Sequence, residues 1–213
     1  MNPLVVAITG ASGALYAVRL LDVLTAAGRD VHLTISSSGQ TVLQHELGIQ
    51  VDLNHFELSA LQDVRGGTCR FLSDAEPIDI ERHPGRIHYH HFSDFMSPIA
   101  SGSFLTDGMA ICPCSGSTLS AVVTGASNNL IQRAADVHLK ERRPLVIVPR
   151  ETPLSAVQLD NLKRAGEIGA VVLPATPGWY HEVESPLDLV DFVVARILDQ
   201  LHVENRLVKR WGS

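Results

Sequence analysis

The chain has 213 residues, 45% hydrophobic and 19% charged, a composition that excludes a disordered chain and fits one domain of generous size. Its formal net charge of −6 argues against the basic face that a nucleic-acid binder needs. Cys69, Cys112 and Cys114 are too few, and odd in number, for a disulfide framework, and no apolar run is long enough for a bilayer.

Residues 1–9 carry no basic leader region, so a cytoplasmic, reduced protein without membrane attachment is expected. Leu4–Thr9 reads as a strand that leads into a helix from about Ala14 to Ala26, stopped by Gly28. Asp30–Ser36 reads as a second strand, followed by a helix carrying Glu46. The middle, about 55–96, is polar and irregular and contains His55, His83, His88, His90 and His91. Alternation would put His88 and His90 on one face, but no third ligand has a suitable spacing, and a solvated hairpin or loop is the expectation there.

Met109–Pro113 is the next strand, with helix around Thr118–Val123 and again over Ile131–Arg143. Leu145–Val148 is a strand, Ser155–Glu167 a helix, Ala170–Leu173 a strand and Pro186–Leu201 a long last helix. Continuous apolar strands separated by helices predict an α/β fold, a parallel sheet with helices on both faces. The chain reads as a single domain, 1–213, with the polar stretch as an insertion. A mean hydropathy of +0.12 points to buried subunit contacts.

Ligands of such sheets lie beyond the carboxyl ends of the strands. After the first strand comes Thr9-Gly10-Ala11-Ser12-Gly13, whose glycines let backbone approach a ligand and whose helix start favours an anion; the plain alternative is a tight turn with Ser12 as N-cap. A short-chain dehydrogenase would need Tyr-x-x-x-Lys, and Tyr16, Tyr89 and Tyr180 all lack that Lys. Cys112-Pro113-Cys114 has neither redox nor metal spacing and reads as buried strand-end thiols. Ser115-Gly116-Ser117-Thr118 offers hydroxyls at a second strand-to-helix junction.

Arg133 and Lys140, seven apart, share a helix face, while Arg150-Glu151 emerge from a buried strand's end. Arg196 sits in the apolar run Val-Val-Ala-Arg-Ile-Leu, where an anion would account for it. Trp179, Tyr180 and Trp211 are aromatics able to cover a pocket.

Taken together, "ITGASGA" at 8–14, "ASGS" at 100–103, the run from Asn128 to Pro153, "YH" at 180–181, "DLVDFVVARIL" at 188–198 and "RWG" at 210–212 resemble the flavin prenyltransferases, the UbiX group. The resemblance implies a Rossmann-like fold assembled as a homododecamer, with FMN where subunits meet. It also implies metal-free transfer of a dimethylallyl group from dimethylallyl phosphate to N5 and C6 of reduced FMN. The product would serve a UbiD-type decarboxylase.

Carried over by position, Gly10, Ala11, Ser12, Ser36, Ser115, Gly116, Ser117 and Thr118 line the FMN site, with Arg133 and Arg150. Lys140, Arg150, Glu151, Tyr180, Arg196 and Trp211 match the substrate side. Ser12, Glu46, Lys140 and Glu151 carry the catalytic expectation, Ser12 and Glu46 as a proton-handling pair. Ser36-Ser37-Ser38-Gly39 departs from the Ser-Lys-Ala-Ala of many members. The rivals are an FMN-dependent cysteine decarboxylase, whose catalytic His and Met-Asn motif are not evident, and a catalytically silent FMN-binding subunit.

Overall fold

Leu4–Ile8 (β1) and Val31–Ile35 (β2) are buried at every position, which requires that both faces of the sheet be covered. In the computed structural model, which describes residues 1–62, 64, 67–69, 80–180 and 182–209, that cover is two layers of helices. Ala14–Ala26 (α1), Ser37–Leu47 (α2) and Pro186–Gln200 (α6) close one face through Leu20, Leu21, Leu43, Val194 and Leu198. Gly116–Thr124 (α3), Leu130–Lys140 (α4) and Ala156–Glu167 (α5) close the other through Leu119, Leu130, Ile131 and Ala165.

The remaining strands are Ile87–Tyr89 (β3), Gly108–Cys114 (β4), Leu145–Pro149 (β5) and Val171–Val172 (β6). All six pair in parallel in the order β3-β2-β1-β4-β5-β6. The chain leaves β1 toward one edge and returns through β4 to the other, so a crevice opens beyond the carboxyl ends of β1 and β4. No helix among the described residues is long and apolar enough to cross a membrane.

The helix and strand limits expected from periodicity hold to within a few residues, because capping residues mark them. Ser155 caps α5 through a reciprocal box with Gln158, and Gly48 at φ 73° stops α2. The central stretch differs. Residues 87–89, expected in a hairpin or loop, form a parallel edge strand on β2. His88 stands opposite His32, and the His32 and His90 rings are nearly parallel at 9°, with Nδ1 and Nε2 2.7 Å apart. An imidazole–imidazole hydrogen bond therefore engages one nitrogen of each ring. Among the described residues, no group of three His, Cys, Asp or Glu side chains is arranged to hold a metal ion.

Candidate active site

Thr9, the first residue past β1, fastens the two loops of the crevice together. Its Oγ1 donates to Pro113 O at 2.8 Å and accepts the Ser115 amide at 2.8 Å, and the side chain is buried. The turn after β1 and the turn after β4 are thus held as one wall. Sequence reading places Thr9 in the turn but gives no sign of this bond, which joins residues 106 apart.

Gly13 is the N-cap of α1, at φ 115°, and no side chain of the turn caps it. Ser12 is exposed and takes no part in a cap. The capping group is the Glu46 carboxylate from α2, which accepts from Gly13 N at 2.9 Å and Ala14 N at 2.8 Å. A carboxylate at a helix start is favoured by the macrodipole and by the free first-turn amides. The anion position expected at the start of α1 is therefore already filled by the protein.

Helices α2 and α3 start differently. Ser36 Oγ accepts from Gly39 N at 3.0 Å and Ser115 Oγ from Thr118 N at 3.3 Å, which satisfies the third amide of each helix. The preceding first-turn amides have no helical partner. Gly10 lies so near α2 that a Cβ on it would fall 2.4 Å from Ser38 Cβ. Backbone, rather than side chains, thus forms this part of the crevice floor, and both helix starts offer N–H groups to an anion there.

A cleft of about 410 Å³ opens next to this floor. Its polar wall is Ser12, Tyr16, Glu46, Thr68, Cys69 and Arg150, and Leu15, Leu189 and Val190 are among its apolar lining. Arg150, which follows β5, donates from Nε to Ser12 O at 3.3 Å, holding the guanidinium over the first turn. Burial raises the Tyr16 phenol pKa, with Cys112 and Glu46 acting in the same sense and Arg150 against them. Burial also raises the thiols: Cys69 has Glu46 as a second cause, Cys112 is shifted strongly, and Cys114 is pushed up to about 12. Cys112 and Cys114 are buried in β4, as the C-x-C spacing suggests.

Glu151 is exposed beside Arg150, and its Oε1 accepts from Thr152 N at 3.1 Å. The other expected residues do not converge on this cleft within one chain. Arg133 and Lys140 do share a face of α4: Arg133 Nε donates to Ala100 O at 3.0 Å, and Lys140, ion-paired with Glu141, lies against Gly102. Lys140 ends α4 close to Pro144, whose carbonyl accepts from Met109 N near the start of β4. It thus stands near the amino-terminal edge of the sheet, separated from Arg150 by about the length of β5, roughly 17 Å.

Arg196, paired with Asp199 at 2.8 Å, lines a separate groove of about 320 Å³ beside β6. Tyr180 is 65% exposed, with its ring edge-on to Phe192 at 5.7 Å, and Trp179 is 73% exposed. Trp211 lies outside the described residues.

The chain matches the Flavoprotein family over residues 1–198, in keeping with a doubly wound sheet and a strand-end cleft. It is 47% identical over 207 residues to the flavin prenyltransferase UbiX of Pseudomonas aeruginosa, covering 97% of this chain and 92% of that protein. Among solved structures, AnUbiX in complex with FMN and dimethylallyl pyrophosphate is 34% identical with a TM-score of 0.80, covering 100% of this chain and 98% of that one. A dodecameric FMN-dependent UbiX-like decarboxylase from Escherichia coli O157:H7 is 33% identical with a TM-score of 0.78, covering 99% and 100%. Fold and site thus define a flavoprotein of the doubly wound type. The chain belongs to the flavin prenyltransferase family.

Proposed function

We propose that this protein is a flavin prenyltransferase, moving a dimethylallyl group from dimethylallyl phosphate to N5 and C6 of reduced FMN for use by a UbiD-type decarboxylase. The observation that carries the reading is 47% identity along essentially the whole chain to a flavin prenyltransferase. A solved relative holding FMN with dimethylallyl pyrophosphate supports the same pair of ligands. We place the protein in the cytoplasm and treat residues 1–213 as one functional domain.

The residues at hand fit FMN. Gly10 gives backbone access, the α2 and α3 starts offer amides to its phosphate, and the cleft lined by Leu15, Leu189 and Val190 offers an apolar wall. FMN, once reduced, supplies the nucleophilic ring atoms. Gly10, Ala11, Ser12, Ser36 and Ser115–Thr118 hold and orient it, with Arg133 and Arg150 as its cations. Lys140, Arg150 and Arg196 are the charges suited to a leaving phosphate. Glu151, next to Arg150, can hold the proton shared with that phosphate. Glu46 holds the turn that presents Ser12 (its carboxylate is engaged by Gly13 and Ala14), and this adds a positioning duty to the proton-handling role expected for the pair. Tyr180 and Trp211 are assigned to the prenyl side, where aromatic faces suit an allylic cation.

Because Lys140 and Arg150 stand at opposite edges of the sheet in one chain, a second copy must bring its Lys140 to the cleft. A dodecameric relative supports such an assembly. The test is transfer of the product. Filtrate from protein, reduced FMN and dimethylallyl phosphate should activate an apo UbiD-type decarboxylase, and filtrate lacking the donor should not. Equal activity with and without donor would reject the reading.

A further inference from the structure

Tyr16 stands in the first turn of α1, its backbone amide on Gly13 O at 3.1 Å. Its ring lies over the glycine turn: a Cβ on Gly13 would fall 2.9 Å from Tyr16 Cδ2 and 3.2 Å from Cε2. The ring also packs against the core that α1 shares with α2 and α6. These contacts hold the side chain in the wall of the 410 Å³ cleft, which Glu46 and Arg150 also line.

The hydroxyl has no hydrogen-bond partner among the described residues. Tyr89, by contrast, is also half-buried and donates to Leu53 O at 3.0 Å. A phenol held in a cleft wall by its packed ring, with no protein partner for its hydroxyl, is a donor available to a ligand atom there. Neither Glu46 nor Arg150 supplies that partner. Glu46 accepts the Gly13 and Ala14 amides, and Arg150 donates to Ser12 O.

We infer that Tyr16 is a cofactor-binding residue, its hydroxyl donating a hydrogen bond to an acceptor atom of the flavin bound in this cleft. The inference rests on the reading of the cleft as the FMN site. A donor here must stay protonated, and burial, which raises the phenol pKa, keeps it so across the neutral range. Arg150 opposes that shift, and the phenol loses its donor capacity only in alkali.

The test is FMN binding, read by fluorescence quenching and by the flavin absorption spectrum, with wild type and Tyr16→Phe compared. The variant keeps the ring over Gly13 and loses only the donor, so folding, checked by circular dichroism and thermal midpoint, should be unchanged. FMN affinity should fall about tenfold, the loss of one hydrogen bond. The bound flavin's bands should shift, and FMN binding in the variant should weaken less in alkali than in the wild type. Equal affinity, spectrum and pH profile in the two proteins would overturn the inference and leave the FMN reading standing. Failure of the wild type to bind FMN would overturn the reading of the cleft itself.

Discussion

The Glu46 carboxylate, carried on the last turn of α2, closes the start of α1 by accepting the Gly13 amide at 2.9 Å. One side chain thus ties two helices together and sets the turn on which Ser12 is displayed. Glu46→Ala strands the Gly13 and Ala14 amides and should cost about 1–2 kcal/mol, as the loss of an N-cap does. Glu46→Gln keeps an acceptor oxygen and should lose less than half of that. Urea denaturation midpoints check both, and an alanine variant as stable as wild type would show that the carboxylate does not cap α1.

Arg150 reaches Ser12 O through Nε, which leaves its terminal nitrogens for an anion. A planar fork is not replaced by an ammonium point charge. Arg150→Met should lower kcat/KM roughly 10- to 100-fold, the order expected for one charge-assisted contact, and Arg150→Lys should stay closer to that variant than to wild type. Steady-state kinetics with dimethylallyl phosphate checks this.

The separation of Lys140 from Arg150 makes a prediction about assembly. Lys140→Met and Arg150→Met should each be strongly impaired alone. Co-expressed in one oligomer, the two should recover part of the activity, because some clefts then combine an intact Arg150 with an intact Lys140 from another copy. If mixed oligomers stay as impaired as the single variants, both groups act from the same chain.

Much of the architecture is legible in the sequence because it rests on local signals. Runs such as Leu4–Ile8 have no polar face, and Ser155, Gly28 and Gly48 mark helix ends within a turn of where they act. The strand-end rule then directs attention to Gly10–Gly13, Ser115–Thr118 and Arg150, which the structure does gather at the switch point. What local signals cannot give is pairing at long range. The bond from Ser115 N to Thr9 Oγ1, the Glu46 cap on α1 and the His32–His90 contact join residues 106, 33 and 58 apart. β3 escapes for a related reason: Ile87-His88-Tyr89 is short, with exposed His88 between two half-buried residues, and only its pairing with β2 makes it a strand. The family resemblance names Lys140 as a substrate residue, but only the fold shows that one chain cannot bring it to Arg150.

Two histidines set the acid limit of stability. Burial lowers His32 to about 4, the neighbouring His90 and His88 adding to the effect and Asp30 opposing it. Burial likewise lowers His138 to about 4, with Arg143 adding and the Ala134 carbonyl opposing. The His138 Nδ1–H donates to Ala134 O at 2.7 Å, so Nε2 accepts from Thr106 Oγ1 at 2.9 Å, an arrangement of neutral imidazole. Both folded values lie below the unfolded one of about 6.5, so their contribution is complete above that pH and is lost progressively down to about 4. Unfolding near pH 5 should take up close to two protons from this pair. In His138→Gln the pH dependence of the unfolding free energy should fall by about one proton. An unchanged slope would refute the assignment.

The most direct measurement is the mass of the flavin after an anaerobic incubation of the protein with reduced FMN and dimethylallyl phosphate. The account predicts a gain of one C5H8 unit over FMN, seen with wild type and strongly reduced with Glu151→Gln, which should still bind FMN. Recovery of unmodified FMN from the wild-type reaction, with both ligands bound, would contradict it.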